Sequence, residues 1–337
     1  MSGLIAVTGA SGFVGRHVVR ELISRGHRVR AFALDQAKAE AVLPVDDGVE
    51  IVDARPLLRG RRSGAVDRSV GRLLADAEPD LRGPGAEAAS MDGCVACVHT
   101  IGIIRETRGR SFQSTHVDAA RHVVGACEAA GVGRYIHISA LGVRPEGVSE
   151  YQRSKFEGER IVRASSLEWT IFRPGFIHGP GSEFLKIARG WVTGRSAPFL
   201  FLPYFTRGKV EPVLSPVSAS DIAWACAEAI ETDETVGEVY NLVGPDVVTW
   251  PELLTALRDR ITNAKPGISP RGLPGERAAK IAWAARMVGL RDALPYDEGM
   301  ALMAAEDSLA SPDKARSDFG FEPHGFVETL DGYAATL

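Results

Sequence analysis

Tyr151 and Lys155 stand four residues apart in Tyr151-Gln152-Arg153-Ser154-Lys155, a spacing that puts both side chains on one face of a helix. A free phenol has a pKa of about 10 and is a weak acid–base group at neutral pH. A neighbouring cation favours the phenolate and brings that pKa down. The pair can then exchange a proton with a substrate hydroxyl or carbonyl oxygen. A lone Tyr-x-x-x-Lys also recurs by chance on exposed helix faces, so its neighbourhood must decide.

That neighbourhood begins at residue 8, with Thr8-Gly9-Ala10-Ser11-Gly12-Phe13-Val14-Gly15. The motif follows an apolar run and opens a helical pattern, the context a dinucleotide fingerprint needs. Gly9 permits a tight turn, Gly12 lets backbone approach a pyrophosphate, and Gly15 allows close packing of helix on strand. The amides of the loop and first turn, Ser11, Phe13 and Val14 among them, then bind phosphate. The implied cofactor is NAD or NADP, which supplies the hydride that a Tyr–Lys proton exchange would accompany.

The elements that must hold these groups alternate strand and helix. Strands are predicted at 4–8, 28–34, 49–52, 94–99, 134–139 and 169–173, and helices at 15–25, 117–130, 220–231 and 250–262. Val18, Val19, Leu22 and Ile23 carry the helical period of the first. Strand, helix, strand at these intervals implies right-handed crossovers and a parallel sheet. The fold class is α/β: a Rossmann-type doubly wound parallel sheet with a smaller, mainly helical C-terminal substrate region. Residues 1–175 form the dinucleotide-binding domain, with an irregular insertion at 54–92 and a return at 210–245. Residues 176–209 and 246–337 form the substrate-binding region. The insertion carries Arg59, Arg61, Arg62 and Arg68, read as a solvated loop, and a helix near 70–77. Ser196–Pro216, rich in proline and aromatics, reads as loop.

Ser139 ends the fifth strand, where ligands bind in open α/β sheets. Discrimination between nucleotides belongs to the end of the second strand. Asp35 lies beside that position and would favour NAD, whereas Arg16 and Arg30 could serve a 2′-phosphate, so the choice stays open. Cys94-Val95-Ala96-Cys97 sits on a strand, where residues three apart point to opposite faces; two buried core cysteines are expected, not a redox or zinc motif. The eight histidines show no metal-ligand spacing, and no metal is expected. His178 lies in the expected substrate loop and reads as a solvated histidine, with a ligand contact as the alternative.

Glycines at 9, 12 and 15 follow G-x-x-G-x-x-G, and the segment through Arg16 resembles the fingerprint of the short-chain dehydrogenase/reductase superfamily in its extended or atypical branch. The resemblance implies that Ser139 polarises a reacting carbonyl and orients Tyr151, that Lys155 holds the nicotinamide ribose, and that Arg173-Pro174-Gly175 begins a loop closing over the nicotinamide. Extended members place an aspartate where Ala33 stands, and NADP-binding atypical members an arginine near Leu34; neither is present. His99-Thr100-Ile101-Gly102 replaces a His-x-Ala-Ala segment, which assigns Thr100 and Gly102 to the cofactor. His116 stands where many active members have a water-anchoring asparagine; a local hydrogen bond at a helix start is its expected role, with replacement of that asparagine as the alternative. With Ser311-Pro312-Asp313 and Phe319-Gly320-Phe321-Glu322-Pro323, these segments resemble the subgroup of the 39-kDa accessory subunit of respiratory complex I. The resemblance covers nearly the whole chain outside 54–92.

Two functions follow as expectations. One is an NAD(P)-dependent oxidoreductase, or an epimerase or dehydratase using transient oxidation, acting on a secondary alcohol or ketone with Tyr151 as acid/base. The other is an NAD(P)-binding structural, assembly or redox-sensing protein with little turnover. A net charge of −4 over 337 residues gives no footprint for nucleic acid. No apolar run is long enough to span a bilayer, and the apolar run at 4–7 has neither basic leader nor cleavage site. Four cysteines fit reduced thiols in a cytoplasm. A small-molecule substrate is the expected partner; many relatives pair helices into homodimers.

Overall fold

Five apolar-rich residues, Leu4–Thr8, form β1 and become an interior strand of a sheet. The computed structural model describes residues 3–58, 90–290 and 294–337. The arginines at 59, 61, 62 and 68 and the helix expected near 70–77 lie outside these residues. β2 is Arg28–Ala33, β3 Val49–Asp53, β4 Cys94–His99, β5 Arg134–Ile138, β6 Glu168–Pro174 and β11 Glu238–Leu242. The sheet order is β11-β6-β5-β4-β1-β2-β3. β1 pairs in parallel with both β2 and β4, as do β2 with β3, β4 with β5 and β5 with β6. Gly237 N donates to Trp169 O, and Gly175 N donates to Leu242 O; this ascending register makes β6 and β11 parallel too. Strand order reverses between β1 and β4, the topological switch point at which such sheets bind ligands.

The chain divides into two compact units: Met1–Ser139 with Ser154–Phe172 and Ala223–Val239, and Ala140–Arg153 with Arg173–Ile222 and Tyr240–Leu337. In the first, helix Phe13–Ser24 buries Gly15, Val18, Val19 and Leu22, the i, i+3, i+4, i+7 stripe that makes a helix amphipathic. Helix Ala119–Ala130 buries Val123, Val124, Ala126 and Cys127 in a cluster with Phe32, Leu57, Tyr135 and Ile171. It ends at Gly131, whose φ of 70° suits the left-handed cap.

The two cysteines of β4 correct an expectation. Both are buried, but they belong to one cluster, with Cys127. The register jumps from Leu4↔Cys94 to Ile5↔Ala96, so Val95 is an extra, exposed residue. One extra residue inverts the face of everything before it, and residues three apart then share a side.

Arg134, at the start of β5, is 7% exposed. Its guanidinium donates to Ala229 O through Nε and Nη2 (3.1 and 2.8 Å), to Glu168 O, and to the hydroxyls of Thr170 and Thr235. It ties β5, β6 and the returning segment together. Arg134→Leu leaves buried carbonyls without donors and is expected to cost about 2–4 kcal/mol, read as a lowered urea midpoint.

The second unit is built on helices and three short ladders. β7 (Ile177–His178) pairs with β10 (Val217–Ser218), β8 (Leu202–Thr206) with β13 (Pro270–Pro274), and β9 (Val213–Leu214) with β12 (Val248–Thr249). β8 lies in the stretch read as loop. Thr249 and Glu252 form a capping box that starts helix Trp250–Arg260. That helix sends Trp250, Leu253, Leu254 and Leu257 into a core with Trp191, Phe326 and Tyr333.

Candidate active site

The glycine loop leaves β1 with Gly9 at φ +75°, a left-handed conformation that disfavours a side chain. Gly12 N donates to Gly9 O at 2.8 Å. A Cβ on Gly12 would sit 2.9 Å from that oxygen; one on Gly15 would sit 2.3 Å from it and 2.9 Å from Ala10 Cα. All three glycines are therefore set by backbone packing. Gly12 is also the N-cap of helix Phe13–Ser24 and has no side chain to occupy the first-turn amides. A cradle of backbone amides at a helix start matches a pyrophosphate.

Thr100 and Gly102 follow β4. The Thr100 hydroxyl donates to Thr8 O at 2.8 Å and to Gly9 O at 3.3 Å, pinning the loop after β4 to the glycine loop. Thr8 Oγ1 and His99 Nδ1 pair at 2.8 Å beneath them. Gly102 faces Lys155: a Cβ there would lie 3.1 Å from Nζ. Asp35 is the N-cap of helix Gln36–Val42 and accepts from Lys38 N at 3.0 Å.

Helix Glu150–Arg163 carries Tyr151 and Lys155 one turn apart. Lys155 is 5% exposed, and its Nζ donates to Ile138 O at 2.8 Å. Burial lowers its pKa to about 8, partly opposed by Glu159. Tyr151, in the first turn, is half-buried, and desolvation pushes its phenol up to about 12, opposite to the lowering that the sequence predicts from the neighbouring lysine. Ser139 follows β5. Its N donates to Phe172 O at 2.7 Å, and its buried hydroxyl has no hydrogen-bond partner among the described residues. Lys155, Gly102 and the glycine loop lie in the first unit, as does Ser139; Tyr151 and Pro174 belong to the second. There Pro174 O accepts from Leu141 N at 2.8 Å. Gln152 and Arg144 both donate to Glu306, at 2.9 and 2.6 Å, fixing the start of the helix that bears Tyr151. Glu306 has no motif around it and was invisible to sequence reasoning.

His116 departs from its expected local role. It lies in a π-helical turn, Gln113–Asp118. Its Nε2 accepts from Ile103 N at 3.2 Å, so the proton is on Nδ1, which donates to Ser154 Oγ at 2.8 Å. A neutral imidazole thus joins the loop after β4 to the helix of Lys155. Burial, then the Lys155 charge, hold its pKa down at about 2. His99 and His137, paired across β4 and β5, stack at 5.4 Å with 8° between planes. Burial brings His99 to about 3 and His137 well below the ordinary range. Sequence reasoning missed this pair, because its signal is two histidines in register on neighbouring strands.

These histidines take up protons only on unfolding. Their contribution is complete above pH about 6.5 and falls as pH drops below it, by about 1.4 kcal/mol per pH unit for each group. Urea midpoints measured from pH 7 to 4 are expected to fall steeply, and more gently in His137→Phe. An unchanged slope in that variant would show that His137 is charged in the fold.

His178 also differs from expectation. It is fully buried in β7, with Nδ1 2.9 Å from Tyr333 Oη and its ring edge-on to Phe326. Groups of three or more His, Cys, Asp or Glu able to hold a metal are absent among the described residues. No helix among them is long and apolar enough to cross a membrane.

A family model described as NAD(P)H-binding matches residues 9–65 and 77–188. The chain belongs to this NAD(P)H-binding family. It is 33% identical over 348 residues to a ceramide reductase of Caulobacter vibrioides, covering 99% of this chain and 95% of the relative. It is 26% identical over 263 residues to NADH dehydrogenase [ubiquinone] 1 alpha subcomplex subunit 9, mitochondrial, of Dictyostelium discoideum, covering 77% of this chain. The match spans only 64% of that mitochondrial relative's length. Among solved structures, an NADPH-dependent quinone oxidoreductase, QOR2, of Escherichia coli superposes with a TM-score of 0.67 at 19% identity, covering 97% of this chain and 99% of that one; this shows the fold. The chain is an NAD(P)-dependent, extended short-chain dehydrogenase/reductase-like protein resembling the complex I subunit, and its cofactor is NAD or NADP.

Proposed function

We propose that this protein reduces a ketone to a secondary alcohol, or runs the reverse reaction, with Tyr151 as the proton donor or acceptor. The observation that carries this reading is the buried Lys155 ammonium, held by Ile138 O beneath Gly102 and one helical turn from Tyr151. The glycine loop 9–15, with Ser11, Gly12, Phe13 and Val14, holds the pyrophosphate. Asp35, Thr100, Gly102 and Pro174 complete the cofactor contacts, and Lys155 binds the nicotinamide ribose. The bound nicotinamide supplies or accepts hydride. Ser139 donates its hydroxyl to the reacting oxygen. Tyr151, a neutral phenol at pH 7, gives its proton to that oxygen. Lys155 favours the phenolate left behind. A phenol protonated at rest is in the state that the reductive half of the cycle begins from.

The pocket belongs to the substrate region 176–209 and 246–337. The full-length match to a ceramide reductase supports a lipid-like substrate of the ceramide class. Four free cysteines fit a reducing compartment, the cytoplasm. The similarity to mitochondrial NADH dehydrogenase subunits supports one rival, a nucleotide-holding role without turnover.

Titration with NADH and with NADPH, followed by nicotinamide fluorescence, is expected to give saturable binding of one. Incubating that complex with ceramide-class and short-chain ketones should then consume the nicotinamide. Binding of neither nucleotide would overturn the reading; binding without consumption across the ketones would favour the rival.

A further inference from the structure

Helix Gly275–Met287 is built inside out. Its buried residues are small, Gly275, Ala278 and Ala282. They sit close to their neighbours: a Cβ on Gly275 would lie 2.7 Å from Ala301 O. Its large apolar residues point the other way. Ile281, Trp283, Met287, Val288 and Leu290, five large apolar side chains within ten positions, are 48–70% exposed. An ordinary surface helix of a folded unit buries its large apolar stripe and shows water its polar one.

At 3.6 residues per turn, positions 276, 277, 280, 281, 283, 284, 287 and 288 form one continuous outer face, with the acidic Glu276 one turn before Lys280 and two before Trp283. Arg277 and Lys280 are exposed on it. The helix has three basic residues and a single acidic one, Glu276, in a chain of net charge −4. Arg286 pairs with Glu298 at 3.0 Å, which leaves Arg277 and Lys280 as the cations of the outer face. The end is shaped as well. Gly289 takes φ +78°, and Leu290 N donates to Ala285 O at 2.8 Å. This closure places Leu290 just beyond Met287 and Val288.

We propose that this helix and the turn 288–290 dock the protein on an anionic lipid bilayer, with the helix lying in the interface plane. Trp283, Met287, Val288 and Leu290 enter the boundary between headgroups and acyl chains, and Arg277 and Lys280 meet anionic headgroups. Thirteen residues span about 20 Å, which suits lying on a bilayer and not crossing it. Trp is suited to that depth because its ring is apolar and its N–H polar.

The test is co-sedimentation of the full chain with vesicles of phosphatidylcholine alone, or of phosphatidylcholine with about a third phosphatidylglycerol. The protein is expected to pellet with the anionic vesicles and to be released by salt. The double variant Trp283→Glu/Met287→Glu should lower the partition coefficient at least tenfold, and Arg277→Gln/Lys280→Gln several-fold. All these side chains are exposed, so nucleotide titration and far-ultraviolet dichroism should be unchanged. Wild-type protein that stays in the supernatant, or binds neutral vesicles equally well, would overturn the proposal. So would a dimer in light scattering that Trp283→Glu converts to monomer, since a second copy would then be the occupant. The readout needs no turnover, so it stands or falls apart from the proposed reduction.

Discussion

Tyr151→Phe is expected to lower kcat for ketone reduction by about 10²–10⁴-fold, the range for loss of a positioned acid, while nicotinamide titration stays as in the wild type. The ring remains, so the helix start held by Gln152, Arg144 and Glu306 keeps its packing. Only the hydroxyl is lost. Burial sets the resting state of the phenol: pushed up to about 12, it is protonated at pH 7 and ready to donate. Lys155 adds a pH limb. Its ammonium, brought down to about 8 by burial, is present below that pH and lost above it. Reduction rates should therefore fall as pH rises through about 8. Turnover that survives in Tyr151→Phe would show that another group delivers the proton.

Gly15→Ala is expected to weaken nicotinamide binding by about 10–100-fold, equivalent to about 1.4–2.8 kcal/mol, and to destabilise the fold by about 1–3 kcal/mol through overpacking. The new methyl carbon would lie 2.3 Å from Gly9 O, a backbone atom that cannot rotate away. Either the helix start or the loop must move, and the amide cradle moves with it. Gly125→Ala is the matched control. That glycine lies within helix Ala119–Ala130 with nothing within 4 Å of an added Cβ, so alanine should stabilise by about 0.5–1 kcal/mol and leave binding alone. Equal effects at both positions would mean that packing at Gly15 has no special bearing on the nucleotide.

The contrast between these glycines also marks how far local reasoning reaches. Gly15 was legible because its demand comes from the turn six residues earlier, in a strand–glycine–helix pattern. The strands around it were legible for the same reason: β1 and β4 are short apolar runs with turn residues at their ends. Tyr151 and Lys155 were legible because helical spacing alone puts them on one face.

Other positions required the packed chain. His178 was read as a solvated loop histidine, yet its partner, Tyr333, is 155 residues away. His116 was expected to bond locally, yet it bridges Ile103 and Ser154, 13 and 38 residues distant. Cys94 and Cys97 share a cluster because one extra residue in a ladder changes the face, and the extra residue shows only once β4 is laid against β1. β8 hid in a proline-rich stretch because its partner, β13, lies far along the chain.

The sequence by itself determined the sheet's rhythm, the glycine cradle and the spacing of tyrosine and lysine, since periodicity and turn chemistry are properties of neighbouring residues. The tertiary structure alone decided which histidines are buried and neutral, where the Lys155 amine is held and which face of helix Gly275–Met287 is left to solvent. Burial and register are set by groups distant in the chain, and it is burial that moves a pKa.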